Sequence, residues 1–392
     1  MVSYISASYI YPVAGTPIQN GVLAMDAEGT IVDVLTAEQA NSAGIEQIKH
    51  HEGLLVPGLI NTHCHLELSH MKGRIPKYTG LPEFVQTVIK QRSADEYEID
   101  AAMLSADKEM FENGIVAVAD ISNQLVSKMT KRGSLIHYHT FLEVMGFNPP
   151  TAGEAMQRAL ELKEAFKPLA TSIVPHAPYS VSKQLFEELR HYGGAETEPL
   201  SIHNQETADE NAFFETKSGA FLGLYAFLGL DIGFFQPSGN TSLQTFLPWL
   251  PVERKTLLVH NTFTALTDVL FAKANHPNLY WCLCPNANLY IENKLPDVNL
   301  LKDAGLKITL GTDSLASNGQ LSIFAEMKTL QAHFQIPTEE LLRWATWNGA
   351  EFLGLEGQFG AFEKGKRPGV NLIDFTEKDG VIVLGDWIKR LF

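Results

Sequence analysis

The sequence predicts an α/β fold: a (β/α)8 TIM-like barrel with a small β-sandwich domain assembled from both ends of the chain. Three observations predict it. The long middle alternates apolar strand-like runs with helical patterns, and the strand-like runs number eight. Residues 1–56 and 357–392 read instead as short strands with turn punctuation. The chain has 392 residues, 45% hydrophobic and 19% charged, enough to bury a barrel of roughly 250–300 residues and an appendage. The domain division is therefore 1–56 plus 357–392 for the sheet domain and 57–356 for the barrel. A doubly wound open sheet is the alternative, weakened because no glycine-rich phosphate or dinucleotide loop opens any of the helices.

From the start of the chain, residues 21–34 read as a hairpin turning near Glu28-Gly29. The apolar run Leu54-Leu55-Val56-Pro57-Gly58-Leu59-Ile60 is a buried strand leading into Asn61-Thr62-His63-Cys64-His65. Seven more strands are predicted at 115–120, 135–143, 171–176, 200–203, 256–260, 279–284 and 307–311. Helical spacing covers 81–92, 101–113, 155–166, 183–191, 323–334 and 338–352. After the fifth strand, 213–250 is an insertion rich in Phe, Leu and Gly. Stacking on a flat heterocycle, as part of a lid, and packing against the barrel explain that composition equally well. Residues 369–375 and 381–384, around a Lys-Asp-Gly turn, form a closing hairpin.

Composition narrows the function classes. A formal net charge of −15 argues against a nucleic-acid or anionic-membrane surface, since both call for excess Lys and Arg. Cys64, Cys282 and Cys284 give no disulfide framework and read as buried strand residues. The longest apolar stretch, 219–235, contains Asp231 and falls short of the ~20 residues that span a bilayer. No secretory signal is evident at the N-terminus. The expectation is a soluble cytoplasmic protein.

Chemistry concentrates where the strands end. Residues i and i+2 of a strand point to one face, so the rings of His63 and His65 converge and make half of a divalent metal site. A second H-x-H, His137-Tyr138-His139, shows that the bare pattern recurs in the same chain. That second pair falls mid-strand and reads as structural. Partners for the first pair come from the ends of other strands: His176, His203, His260 and Asp313. In a barrel of this kind, reactive residues gather at those ends. Each alone reads equally well as a satisfied interior residue. Together they would be costly to bury without a shared purpose.

The series H-x-H, H-A-P-Y at His176, H-x-x-E from His203 to Glu206, His260 and G-T-D-S at Asp313 resembles the amidohydrolase superfamily. Within it, the series is most similar to deaminases of adenosyl compounds, guanine and aminodeoxyfutalosine. The resemblance covers essentially the whole chain, including 311–318 and 357–366. It implies that His63, His65, His203 and Asp313 hold one divalent ion, Zn2+ first and Fe2+ second. No lysine stands in 171–176 to bridge a second ion. It gives Glu206 the role of proton shuttle, His260 that of polarising the water, and Asp313 a second role as proton acceptor.

Hydrolysis of a ring C–NH2 bond needs an activated water and a proton for the adjacent ring nitrogen. A metal lowers the pKa of bound water toward about 7, and a carboxylic acid in an apolar pocket supplies the proton. The resemblance thus implies a mononuclear metal-dependent deaminase of a purine-, pterin- or adenosyl-like heterocycle, with a homodimer as a further implication. Hydrolysis of a cyclic amide, imine or carbon–halogen bond by the same site is the alternative, and a non-catalytic scaffold ranks last. His176, Glu67, Glu143 and Asn318 are the substrate-contact candidates, with Ser317 beside them at the mouth. Asn286 stands where many relatives have Arg, which removes a cationic anchor.

Overall fold

The structure, a computed structural model, describes residues 2–192 and 198–392. The N-terminal part contributes β1 (Ser3–Ile10), β2 (Ile18–Gln19), β3 (Val22–Met25), β4 (Ile31–Leu35) and β5 (Ile48–Pro57). Gly29, at φ 80°, makes the turn between β3 and β4 where the sequence put it. The chain passes from β5 through Gly58 into β6 (Leu59–Cys64). A side chain at Gly58 would run into Val116 and the Pro368 carbonyl, so only glycine lets the two sheets approach there.

The parallel core continues with β7 (Ile115–Ser122), β8 (His137–Val144), β9 (Ala170–Pro175), β10 (Leu200–Asn204), β11 (Thr256–His260), β12 (Leu279–Leu283) and β13 (Ile308–Leu310). Each boundary lies within two residues of its predicted position. All the pairings are parallel and form two four-stranded sheets, β6-β7-β8-β9 and β10-β11-β12-β13. Backbone bonds link the sheets at both edges. His203 N donates to His176 O at 3.0 Å, and Thr312 N and Asp313 N donate to His63 O at 3.0 and 3.1 Å. Candidate site residues are therefore also the residues that fasten the two sheets together.

β14 (Val370–Lys378) and β15 (Val381–Arg390) pair with each other, and β14 pairs antiparallel with β5. The result is one seven-stranded sheet, β15-β14-β5-β1-β3-β4 with β2 on β1. Both ends of the chain do build it together. Hydrogen bonds run continuously through all seven strands.

Two helices depart from expectation. The one predicted over 101–113 begins earlier, at Glu96, because the Asp95 side chain accepts from Tyr97 N and caps it. The stretch 338–352 is two helices, Thr338–Ala345 and Trp347–Leu353. Thr346 breaks it at φ −134°, ψ −78°, with its hydroxyl donating to Leu342 O at 2.6 Å.

The insertion forms short helices, Ala208–Thr216, Phe221–Phe227 and Ser242–Phe246. Phe213, Phe214, Phe221 and Tyr225 are buried in a cluster with Phe147 and Tyr179. Packing thus accounts for much of its aromatic content. Cys64, Cys282 and Cys284 are buried free thiols. Among the described residues no helix is long and apolar enough to cross a membrane.

Candidate active site

The strand ends deliver their side chains to one point. The ligand-capable atoms of His63, His65 and Asp313 lie within 4.8 Å of one another, as do those of His63, His203 and His260. His63 Nε2 is 3.1 Å from His65 Nε2, and Asp313 Oδ1 is 3.6 and 3.4 Å from these two nitrogens. Every one of these side chains is buried. Gly311 makes the convergence possible: a side chain there would strike His63 Cβ, Cys282 Sγ and Cys284 Sγ. Just beyond the strands the backbone is strained, with His260 at φ 76° and Asp313 at φ 56°. Strain of this kind persists where the surroundings overdetermine it, and it gathers at functional sites.

Hydrogen bonds set the imidazole tautomers. His203 Nδ1 donates to His176 O at 2.7 Å, which leaves the Nε2 lone pair directed at the cluster. His260 Nδ1 is 3.2 Å from Asn288 Oδ1, so it carries the proton and its Nε2 is free to accept. Burial depresses His65 and His203 well below the ordinary imidazole range, with the neighbouring rings adding to the effect. It takes His176 and His260 to about 4. These rings are neutral at pH 7. Burial alone would raise Asp313, but the bond with His63 and the rings of His65 and His260 outweigh it and hold the carboxyl low. Ser317 Oγ donates to its Oδ2. Neutral imidazoles with converging lone pairs, closed by one carboxylate, form a donor set that fits a single divalent cation.

Glu206 follows β10 and turns into the same cavity, its Oε2 3.5 Å from His260 Nε2. Burial, reinforced by Asp313, Glu292 and Glu210, pushes its carboxyl well above the ordinary range. Burial thus favours the acid form of a carboxyl that faces His260 Nε2. The cavity, about 150 Å3, is lined on one side by His65, His203, His260, Asp313 and Glu206. The opposite wall is apolar and includes Leu81, Phe84, Val85 and Val88 of helix Leu81–Gln91.

The substrate-contact candidates divide. His176 and Glu143 line the cavity. Burial raises the Glu143 carboxyl, against the opposing bond from Asn123, and Oε1 lies 3.5 Å from His203 Nδ1. Glu67 and Asn318 do not face the cavity. Glu67 is occupied by Arg92 Nη2 at 3.1 Å and Asn123 N at 3.2 Å. Asn318 donates to Thr312 O at 2.9 Å and Glu326 Oε1 at 2.8 Å, behind Asp313. Glu67 lies in the 3-10 turn Leu66–Met71 and Asn318 in a loop, segments whose course a strand pattern leaves open. His139 bonds Ser172 Oγ at 2.8 Å, and the exposed His137 lies outside the cluster.

Asn123, Arg92, Tyr179 and Asn288 are the residues that sequence reasoning missed. The first three line the cavity, and Asn288 orients His260. Two carried a signal, Tyr179 as the last residue of the H-A-P-Y run and Asn288 as the second Asn of Pro285-Asn286-Ala287-Asn288 at the start of a helix. Asn286 is not in the cavity wall, and its Oδ1 accepts from Thr329 Oγ1 at 2.7 Å.

Comparison with known proteins agrees with this geometry. The family model described as "Amidohydrolase family" matches residues 54–388. An adenosine deaminase of Helicobacter pylori is 28% identical over 335 residues, covering 83% of this chain and 80% of that protein. A 5-methylthioadenosine/S-adenosylhomocysteine deaminase of Teredinibacter turnerae is 28% identical over 355 residues, covering 85% and 74%. The crystal structure of Helicobacter pylori aminofutalosine deaminase in complex with methylthio-coformycin superposes with a TM-score of 0.79. It is 24% identical and covers 96% of this chain and 93% of its own, a likeness of fold.

Proposed function

The chain belongs to the amidohydrolase family, and from that premise we propose that it is a mononuclear metal-dependent deaminase acting on an adenosyl-like amino-heterocycle. One observation carries the reading. A buried Glu206, its carboxyl pushed toward the acid form, stands 3.5 Å from His260 in the cavity that His65, His203 and Asp313 also line. A cation site alone serves many hydrolyses, and an acid poised beside it suits departure of an amine. The deaminase relatives support the substrate class.

In this proposal His63, His65, His203 and Asp313 hold one Zn2+, and Fe2+ is the second choice for the same nitrogen and oxygen donors. When bound, the ion activates water at neutral pH. His260 orients that water through Nε2, with Asn288 fixing the ring from behind. Asp313 accepts the water proton on the carboxylate that Ser317 steadies. Glu206 delivers its proton to the ring nitrogen beside the reacting carbon. The water oxygen joins that carbon, Asp313 passes the proton it took to the amine, the carbon–nitrogen bond breaks and ammonia leaves, while the added hydroxyl returns a proton to Glu206 and becomes the carbonyl. Helix Leu81–Gln91 supplies an apolar wall that keeps bulk water out.

The β6–β13 core is proposed to be one closed (β/α)8 barrel spanning 57–356, with the edge bonds at His203 and His63 as its support. Three buried unpaired thiols suit a cytoplasmic location. The test is an ammonia-release screen of the zinc-loaded protein over aminopurines, pterins, adenosyl thioethers and aminodeoxyfutalosine. Ammonia from an adenosyl compound is the expected result. Carboxylate or halide release from other substrates, with no ammonia from any of these, overturns the reading.

A further inference from the structure

The cavity does not end at the donor set. Beside it opens a second chamber of about 350 Å3. The two share Val85, Ile89, Met145, His176 and Tyr179, so they adjoin along one wall. The far wall of the chamber is built by the insertion, through Leu224, Tyr225, Leu228 and Leu230. Sequence composition left that segment divided between packing and a substrate role. The structure gives it both, because Leu224 and Tyr225 are buried in the aromatic cluster and also face the chamber.

No Asp, Glu, Lys or Arg stands in the chamber wall among the described residues. Three of its hydroxyl groups are already engaged. Tyr225 Oη donates to Tyr179 O at 2.6 Å, Ser180 Oγ is 2.6 Å from His176 Nδ1, and Thr151 Oγ1 donates to Asn148 O at 2.8 Å. Arg92, on the wall of the smaller cavity only, is bonded to Glu67. A charged group entering the chamber would lose its hydration and meet no counter-charge. An alkyl or aryl group would gain by leaving water.

We infer that this chamber selects substrates whose tail, remote from the reacting ring, is uncharged and apolar, as in an alkyl or aryl thioether, and that it rejects carboxylate or zwitterionic tails. The inference rests on the deaminase reading and deepens it. Leu228 is the position to probe. It is 40% exposed at the chamber rim, so an arginine there lays its stem along the wall with little demand on folding.

The experiment compares two adenosines of equal tail length, 5′-butylthio and 5′-(3-carboxypropyl)thio, on the zinc-loaded wild type and Leu228→Arg. Ammonia release and calorimetric binding are both measured. The wild type is expected to favour the butyl compound by about 10²-fold in kcat/KM and in affinity. Leu228→Arg is expected to narrow both ratios about tenfold or more, chiefly by lowering KM for the carboxylate. Equal preference for the two tails in the wild type overturns the inference, as does a ratio unmoved by Leu228→Arg. Absence of ammonia from both compounds counts against the deaminase reading alone, and the binding ratio then decides the chamber's selectivity.

Discussion

Lys131 Nζ lies 2.6 Å from Asp120 Oδ2, with both side chains fully buried. Ser122 and Thr140 accept the remaining Lys131 protons at 2.9 and 3.1 Å. The other Asp120 oxygen accepts from Leu66 N at 2.7 Å, so the pair fastens the residue that directly follows His65. Lys131→Met leaves a buried carboxylate unpaired and is expected to cost about 3–5 kcal/mol in urea unfolding. Asp120→Asn combined with Lys131→Met removes both charges, keeps an acceptor for Leu66 N, and should recover most of that loss. A single variant as stable as the wild type would show that the pair contributes nothing to folding.

Glu206→Gln keeps the shape of the side chain but removes its transferable proton. The expected result is a full complement of bound metal with turnover down roughly 10²-fold or more. Metal content by elemental analysis and ammonia release at saturating substrate together check it. Wild-type turnover in this variant would end the assignment of Glu206.

Removal of the metal should be visible in the fold as well as in activity. The proposed donor set would bind an ion only when β6, β10 and β13 are assembled, so the ion would stabilise the native state over the unfolded chain. Zinc at about 100 times its Kd should add about 2.7 kcal/mol to the unfolding free energy of the chelator-stripped protein. Identical denaturation curves with and without zinc would contradict the proposed donor set.

Glu210 gives a pH-dependent signature. Burial raises its carboxyl from 4.5 to about 7, against the bonds from Ser242 and from the Gln205 and Glu206 backbone. The folded state therefore holds a proton that the unfolded chain releases. Its contribution is complete below pH 4.5 and is lost as pH rises through about 7, on the order of 3 kcal/mol across that window. Glu210→Gln should flatten this part of the stability profile while its amide oxygen still accepts from Gln205 N. A profile unchanged by the substitution would remove Glu210 as the source.

Sequence and structure agree most closely where strands end. His63, His65, His203, His260 and Asp313 could be read as a convergent set because strand periodicity and the barrel pattern together fix where a terminal side chain arrives. Glu206 was readable only as an offset of three from His203. Loops gave less. Glu67 and Asn318 were placed at the mouth, and each instead spends its polar atoms inside the protein, on Arg92 and Asn123 or on Thr312 and Glu326. Nothing local in the sequence announces such pairings, because their partners lie on other elements. Thr346 is similar: its break depends on a hydroxyl finding Leu342 O, which helical spacing does not reveal.

β5 takes β1 along one edge and β14 along the other; the latter ladder pairs Pro57 with Val370, and the Asn371 side chain donates to Pro57 O across a separation of 314 residues. During synthesis β5 emerges early and its outer edge stays open until almost the entire polypeptide has left the ribosome. Premature stop products would therefore present an apolar strand with unanswered peptide groups, a template for intermolecular pairing. Nascent chains of this protein should draw on chaperones late in translation, and a fragment ending before Val370 should aggregate even though every proposed ligand residue is present.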